Sequence, residues 1–337
     1  KTILITGAAG SIGSEIVRQL INYQPKKLIL VDNSELSLFN IKNELSDLNI
    51  DIKVDYLLKS VTDNHSIDKV FRSSKIDIVF HAAAFKNVFM TESHPSDSIL
   101  NNILGTKNVL DNAIKYNVTN FVLVSTDKAV NPSNVMGASK RIAEIYSSIL
   151  SDKSQTKIII TRFGNVLGSS GSVVPIFKKQ ISNGGPVTIT DPEITRYFMT
   201  ITEACQLVLE AGAIGKGGEI YVFDMGDPVK IYDLAVNMIR LSGFIENEDI
   251  EITYTGVRPG EKLFEELLTE NENLKKSHHE LIYIAKKEKF KNSIDQINNL
   301  IEVSRKSEVK ANELIILMKK IVPEYIPRNK DYFNLLK

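Results

Sequence analysis

The segment Gly7-Ala8-Ala9-Gly10-Ser11-Ile12-Gly13 follows an apolar run, Thr2 to Thr6, and leads into a helical pattern from Glu15 to Leu20. This placement constrains the fold more than any other feature of the chain. Three glycines at these intervals let the backbone turn sharply after a strand, approach a ligand closely and press the next helix onto the sheet. The helix N-terminus then presents free N–H groups to an anion. A second apolar run, Lys27 to Val31, ends at Asp32, near the ~20-residue offset at which such a strand brings a carboxylate to ribose hydroxyls. Together these features imply a dinucleotide site built from Gly7, Ala9, Gly10, Ser11, Ile12, Gly13, Asp32 and Ser34. A carboxylate repels a 2′-phosphate and Asn33-Ser34-Glu35 brings no arginine to bind one, so NAD is favoured over NADP. The competing reading of Asp32 is a cap for the following helix.

The same rhythm continues along the chain. Asp51 to Tyr56, Ile76 to Phe80, Asn120 to Val124 and Lys157 to Thr161 read as strands, with helical patterns between them. Strands that are nearly all apolar, joined by helical crossovers, imply an α/β, doubly wound parallel sheet (Rossmann) whose ligand lies at the strands' carboxyl ends. Beyond about residue 165, Gly- and Pro-rich segments at 168–175, 183–192 and 215–218 separate single helices and predict a smaller C-terminal substrate-binding cap. The expected division is 1–165 for the nucleotide-binding domain, with later segments returning to it, 166–285 for the cap region and 286–337 for a helical extension. Ala82, Ala83 and Ala84 end the fourth strand, where small side chains let a cofactor lie close. His81 beside them reads as a hydrogen-bonded structural imidazole.

Lys plus Arg and Asp plus Glu both total 41, so no bulk field draws the chain to nucleic acid or an acidic membrane, and an anionic ligand must be held by local groups. The lone cysteine, Cys205, lies in an apolar stretch and reads as a core thiol, which excludes a disulfide and fits a reducing cytoplasm. No metal site is expected. No run approaches the ~18 apolar residues of a membrane helix. The abrupt start at Lys1, already in a strand, leads us to expect further sequence upstream, with room for a membrane anchor.

Val124-Ser125-Thr126-Asp127-Lys128 ends the fifth strand, and a helix beginning near Asn134 carries Met136 and Lys140 one turn apart on one face. The arrangement resembles the extended short-chain dehydrogenases, whose helix carries Tyr-x-x-x-Lys. There the phenol exchanges a proton and the lysine binds the nicotinamide ribose. Lys140 keeps the second position and Met136 replaces the first. A thioether neither accepts nor delivers a proton, so the acid–base work moves to other groups or the site is degenerate.

The likeness is closer in several blocks: residues 126–132, 134–141, 82–86, 162–169, 195–199 and 258–262. These resemble the bacterial polysaccharide-biosynthesis UDP-N-acetylglucosamine 4,6-dehydratases, over residues 1 to about 270. Methionine at position 136 is similar to the branch whose full-length members carry membrane helices upstream. Two stretches depart from the pattern: Lys59 before Ser60-Val61, at the adenine edge of the cofactor surface, and Asn87-Val88-Phe89-Met90, at the substrate mouth.

The resemblance implies NAD as cofactor and UDP-N-acetylglucosamine as substrate. A hydride leaves C4, water leaves across C5 and C6, and the hydride returns to C6, with retention at C5 expected. Lys128 is expected to act as base and Asp127 as acid, with Thr126 relaying a proton. A neutral Lys128 requires burial and nearby cations, Lys140 among them, to lower its pKa by ~3 units from ~10.4. Arg196 and Arg258 are expected on the diphosphate, with Asn165 and the Gly171-Ser172-Val173 backbone as neutral donors. Thr188 lies in the uracil-reading strand, Glu261 accepts from the ribose, and Lys86 and Asn102 complete the substrate set. Enzymes of this kind pair two helices into a four-helix bundle, here expected from 96–116 and 134–150 of a homodimer. The expected setting is cytoplasmic, including the cytoplasmic domain of an inner-membrane-anchored protein. Two competing readings are a UDP-hexose 4-epimerase and an NAD-binding sensor without turnover.

Overall fold

All five residues of the first strand, β1 (Thr2–Thr6), are buried, as expected of a largely apolar strand in a sheet covered on both faces. A computed structural model describes residues 1–48, 50–266, 274–285 and 293–335. Chain order continues with α1 (Ser11–Ile21), β2 (Lys27–Asp32), α2 (Glu35–Asp47), β3 (Lys53–Leu58), α3 (Asn64–Ser73), β4 (Ile78–His81), α4 (Val88–Ser93) and α5 (Pro95–Ile99). A π-helical turn, Leu100–Leu104, then joins α5 to α6 (Gly105–Lys115), followed by β5 (Asn120–Val124), α7 (Val135–Ser151) and β6 (Lys157–Arg162). The six expected strands are present, with β3 and β4 each starting two residues later than the pattern suggested.

The later elements are β7 (Asn165–Val166), α8 (Val173–Ser182), β8 (Val187–Ile189), β9 (Thr195–Arg196), β10 (Phe198–Met199), α9 (Ile201–Ile214), β11 (Ile220–Phe223), β12 (Val229–Lys230), α10 (Ile231–Leu241), β13 (Ile252–Tyr254), β14 (Leu274–Lys276) and β15 (Ile282–Ala285). Three helices close the chain: α11 (Ser293–Ser304), α12 (Ala311–Ile321) and α13 (Lys330–Phe333).

Among the described residues, nine strands form one sheet in the order β14-β15-β11-β6-β5-β4-β1-β2-β3. β1 to β6 and β11 are parallel, while β15 and β14 add an antiparallel edge. Strand order reverses between β1 and β4, the switch point at which open α/β sheets bind ligands. Register brings the carboxyl ends together: Thr6 pairs with Val31 and His81, and Val124 pairs with Thr161.

Successive side chains on each strand point to opposite faces. Leu4, Ile29, Val79 and Phe121 pack with α3, α6 and α7 on one side. Ile5, Leu28, Phe80 and Val122 pack with α1, α2 and α9 on the other. A separate apolar cluster, including Phe177, Ile189, Ile239 and Ile252, forms the core of the cap.

Leu300, Ile315 and Met318 of α11 and α12 share one core with Ile99, Ile142 and Ile145. α11 and α12 pack against α5, the π-turn and α7, and every residue of α7 from Val135 to Ser148 is buried. Of the expected extension 286–337, residues 286–292 and 336–337 lie outside the described residues. No helix among the described residues is long and apolar enough to cross a membrane.

Candidate functional site

Gly7 has φ +66°, and a Cβ there would lie 2.6 Å from the Ala83 nitrogen. A Cβ on Gly13 would lie 2.0 Å from the Gly7 carbonyl oxygen. Both positions therefore exclude a side chain, one for the turn and one for the seating of α1 on the sheet. The N-terminus of α1 has no side-chain cap and no acidic residue in its first turn, which leaves its amides available to a phosphate. Asp32 Oδ2 accepts from Ala9 N at 3.0 Å and Oδ1 from Ser34 N at 2.9 Å. The carboxylate is thus fixed against the glycine loop, and Ser34, rather than Asp32, caps α2. Ser11 Oγ accepts from Ser170 N at 3.1 Å, joining this loop to the cap. Ser60 hydrogen-bonds to Thr62, Val61 is buried, and Ala82, Ala83 and Ala84 are half-buried beside Gly7. The chain therefore fits a dinucleotide in this cradle.

His81 is fully buried between Thr6 and Thr106. The Thr106 hydroxyl donates to Asn102 O, so it accepts from His81 Nε2–H, and Nδ1 accepts from Thr6. Burial, then the Lys140 charge, brings the imidazole down to about 3, so it is neutral and structural.

At the end of β5, Ser125 N and Asp127 N donate to Thr161 O and Phe163 O of the neighbouring chain segment, extending the ladder into the loop that carries Asp127 and Lys128. Asn134 caps α7 by accepting from Gly137 N at 2.8 Å. A Cβ on Gly137 would lie 2.1 Å from Lys128 O, so this glycine lets the first turn of α7 sit directly on the loop. Asp127 is 1% exposed. Its Oδ1 accepts from Thr126 Oγ1 at 2.8 Å and Lys128 Nζ at 2.9 Å, whereas its buried Oδ2 has no hydrogen-bond partner. Lys128 Nζ also donates to Asn165 Oδ1 at 2.9 Å and lies 3.9 Å from Glu265 Oε1.

The expected downward shift of Lys128 is not found in this state. Burial disfavours its charge, but Asp127 and Glu265 outweigh burial and Arg196, and the ammonium is held above its ordinary value. Lys140 moves the other way, to about 8, because burial dominates over Glu144. Its Nζ donates to Val124 O at 2.8 Å, anchoring α7 to the end of β5. Met136 is buried at the start of that helix.

On the cap side, Arg196 is buried and donates to Thr195 O, Leu263 O and Glu261 Oε1. Glu261 Oε2 accepts from the Arg258 backbone, leaving the Arg258 side chain on an exposed residue. Thr188 is tied to Gln180, and Lys86 Nζ donates to Ser169 Oγ at 3.1 Å. Gly171 turns with φ +70° ahead of Ser172 and Val173, where α8 begins, and the buried Ser172 Oγ has no partner. Asn102 is a correction to the substrate set. It is fully buried in the π-turn, and its amide is saturated by Phe85 N, Phe85 O, Ser139 Oγ and Asn101 Nδ2, so it shapes the mouth from behind.

The structure adds residues that sequence patterns did not single out. Glu265 reaches Lys128 from the segment after the Arg258–Lys262 block, a position with no spacing signal. Glu144, Arg141 and Arg162 form a buried ionic cluster behind Lys140. The i, i+4 offset from Lys140 to Glu144 was a usable hint. Among the described residues, no cluster of His, Cys, Asp or Glu could hold a metal ion.

Residues 3–287 match the family described as polysaccharide biosynthesis protein. The chain belongs to that family. The capsular polysaccharide biosynthesis protein CapD of Staphylococcus aureus is 53% identical over 301 residues, covering 88% of this chain and 50% of CapD. The chain therefore spans about half the length of this relative. A UDP-glucose 4-epimerase of Rickettsia rickettsii is 36% identical, covering 82% of this chain and 80% of its own. The X-ray structure of Pen from Bacillus thuringiensis superposes with a TM-score of 0.78 at 32% identity, over 87% of this chain and 89% of Pen. The fold of this polysaccharide biosynthesis protein is a Rossmann-like sheet with a C-terminal subdomain, shared with the UDP-glucose 4-epimerase of Thermotoga maritima, which superposes with a TM-score of 0.66 at 24% identity over 80% of this chain and 88% of its own.

Proposed function

We propose that this chain performs NAD-dependent 4,6-dehydration of UDP-N-acetylglucosamine for surface polysaccharide or protein-glycan assembly, as the cytoplasmic catalytic part of a longer protein. The observation that carries the reading is the Asp127 carboxylate at the switch-point end of the sheet, with one oxygen clamped by Thr126 and Lys128 and the other buried without a partner. A buried acceptor left open costs ~1–3 kcal/mol, a cost expected where a proton is to be taken up.

The Gly7–Gly13 loop, Asp32 and Lys140 would hold NAD, which would supply reversible hydride acceptance. Asp127 takes the C4 hydroxyl proton. Its neutralisation removes the nearest negative charge from Lys128, so burial and Arg196 then favour loss of the Lys128 proton to solvent. The neutral amine takes the C5 proton, made acidic by the C4 ketone, Asp127 returns its proton to the C6 hydroxyl, which leaves as water, and the Lys128 ammonium, after exchange with solvent, reprotonates C5 as the hydride returns to C6. The base role of Lys128 thus depends on Asp127 being protonated first. Arg258 and Arg196 bind the diphosphate, Arg196 by exchanging its bond to Glu261. Glu261, released, accepts from the ribose. Lys86, Asn165, the Gly171–Val173 backbone and Thr188 complete the contacts.

The second reading is UDP-hexose 4-epimerisation, supported by the name of the Rickettsia relative. It needs one proton exchanged at the C4 oxygen and gives the Asp127–Lys128 pair no separate task. Incubation with UDP-N-acetylglucosamine in D2O, followed by proton NMR, separates the readings. A 4-keto-6-deoxy product with solvent deuterium at C5 is expected, and a C4 epimer or unchanged substrate would overturn the proposal.

A further inference from the structure

The first N–H of α7, on Val135, donates to Glu92 Oε1 at 2.7 Å. Glu92 lies on α4, nearly buried, and its Oε2 accepts from Asn329 Nδ2 at 3.0 Å. Its main-chain oxygen accepts from Tyr332 Oη at 2.9 Å. Ile326 N and Arg328 N donate to Pro132 O and Ser133 O at 3.0 and 2.9 Å. Glu324 Oε1 accepts from Arg141 Nε at 2.9 Å. One short segment, 324–332, therefore grips the turn that leads from Lys128 into α7, although it lies beyond residue 287, where the family match ends.

The first amides of a helix have no partners within it, and leaving one buried and unpaired is unfavourable. A carboxylate at that end satisfies an N–H and complements the helix dipole. Glu92 fills this place despite burial, which raises its pKa against the opposing bonds from Val135 and Asn329.

We propose that Glu92 is a positioning residue for the catalytic loop and that the C-terminal segment 324–332 holds Glu92 and the Pro132–Ser133 turn in place within one chain. The inference rests on locating catalysis at Thr126–Lys140, and it holds for either reaction considered above. Displacing a reacting group by ~1 Å can lower turnover by about a hundredfold, so the contact has a route to activity without touching substrate.

The test compares full-length wild type with Glu92→Ala, Glu92→Gln and the pair Asn329→Ala/Tyr332→Phe, by hydrogen exchange and steady-state kinetics. For Glu92→Ala and the double variant, amides of 130–137 are expected to exchange about tenfold faster while those of 2–20 stay protected. In these variants kcat should fall roughly tenfold with KM and NAD affinity within about twofold. Glu92→Gln, which keeps an acceptor for Val135, should recover most of the loss. Unchanged exchange and kcat, or faster exchange across the whole chain with lost NAD affinity, overturns the proposal. If the wild type leaves sugar nucleotides unchanged, the reaction reading falls and the exchange pattern alone still decides this one.

Discussion

Glu144 accepts from Arg162 Nε at 2.8 Å and Nη2 at 2.6 Å, with both side chains out of contact with solvent. The same carboxylate accepts from Ser125 Oγ at 2.6 Å and Arg141 Nη1 at 3.3 Å. One anion thereby joins the end of β5, the end of β6 and α7, one turn beyond Lys140. Glu144→Ala leaves two buried guanidinium groups without that carboxylate and should destabilise the fold by about 3–5 kcal/mol. Urea unfolding checks this. A loss under ~1 kcal/mol would mean that the cluster is not what pins these elements together.

Lys140 gives stability a particular alkaline dependence. Below pH 8 folded and unfolded chains both hold the proton, and the folded state bears the cost of the buried charge. Between about 8 and the ordinary lysine value of 10.5, the unfolded chain binds a proton that the folded chain lacks, so this residue's contribution to stability rises with pH. Relative to Lys140→Met, the wild type should gain on the order of 2–3 kcal/mol from pH 7 to pH 10. Parallel urea curves for the two proteins would refute the buried-ammonium account.

Gly13→Ala tests the cofactor cradle. Its new methyl would meet the Gly7 carbonyl at 2.0 Å, and backbone rather than a flexible side chain must yield. The expected result is a stability loss of ~1–3 kcal/mol with NAD affinity reduced at least tenfold, read by calorimetry. Unaltered NAD binding would place the cofactor elsewhere.

The sheet and the glycine loop were legible because their signals are local. Nearly all-apolar strands, three glycines and Asp32 each state their requirement within a few residues. Substrate contacts were less so: the resemblance puts Asn102 in the substrate set, yet a π-turn places it in the interior with its amide saturated. The direction of the Lys128 shift depends on Glu265, which is 137 positions away and lies in no recognisable pattern. The C-terminal helices show amphipathic spacing, but spacing does not say which face they cover, so their place over α5 and α7 required the three-dimensional structure. A buried charge such as Arg141 is equally silent in one dimension, since a charged residue on a helix usually faces water.

The central claim is that Asp127 and Lys128 move the protons that Met136 cannot. Single-turnover assays of Lys128→Ala with UDP-N-acetylglucosamine, preceded by calorimetric titration with NAD, test it most directly. The account predicts NAD affinity within about threefold of wild type and dehydration slowed by roughly a hundredfold or more. Dehydration at a near-normal rate with NAD bound would contradict it.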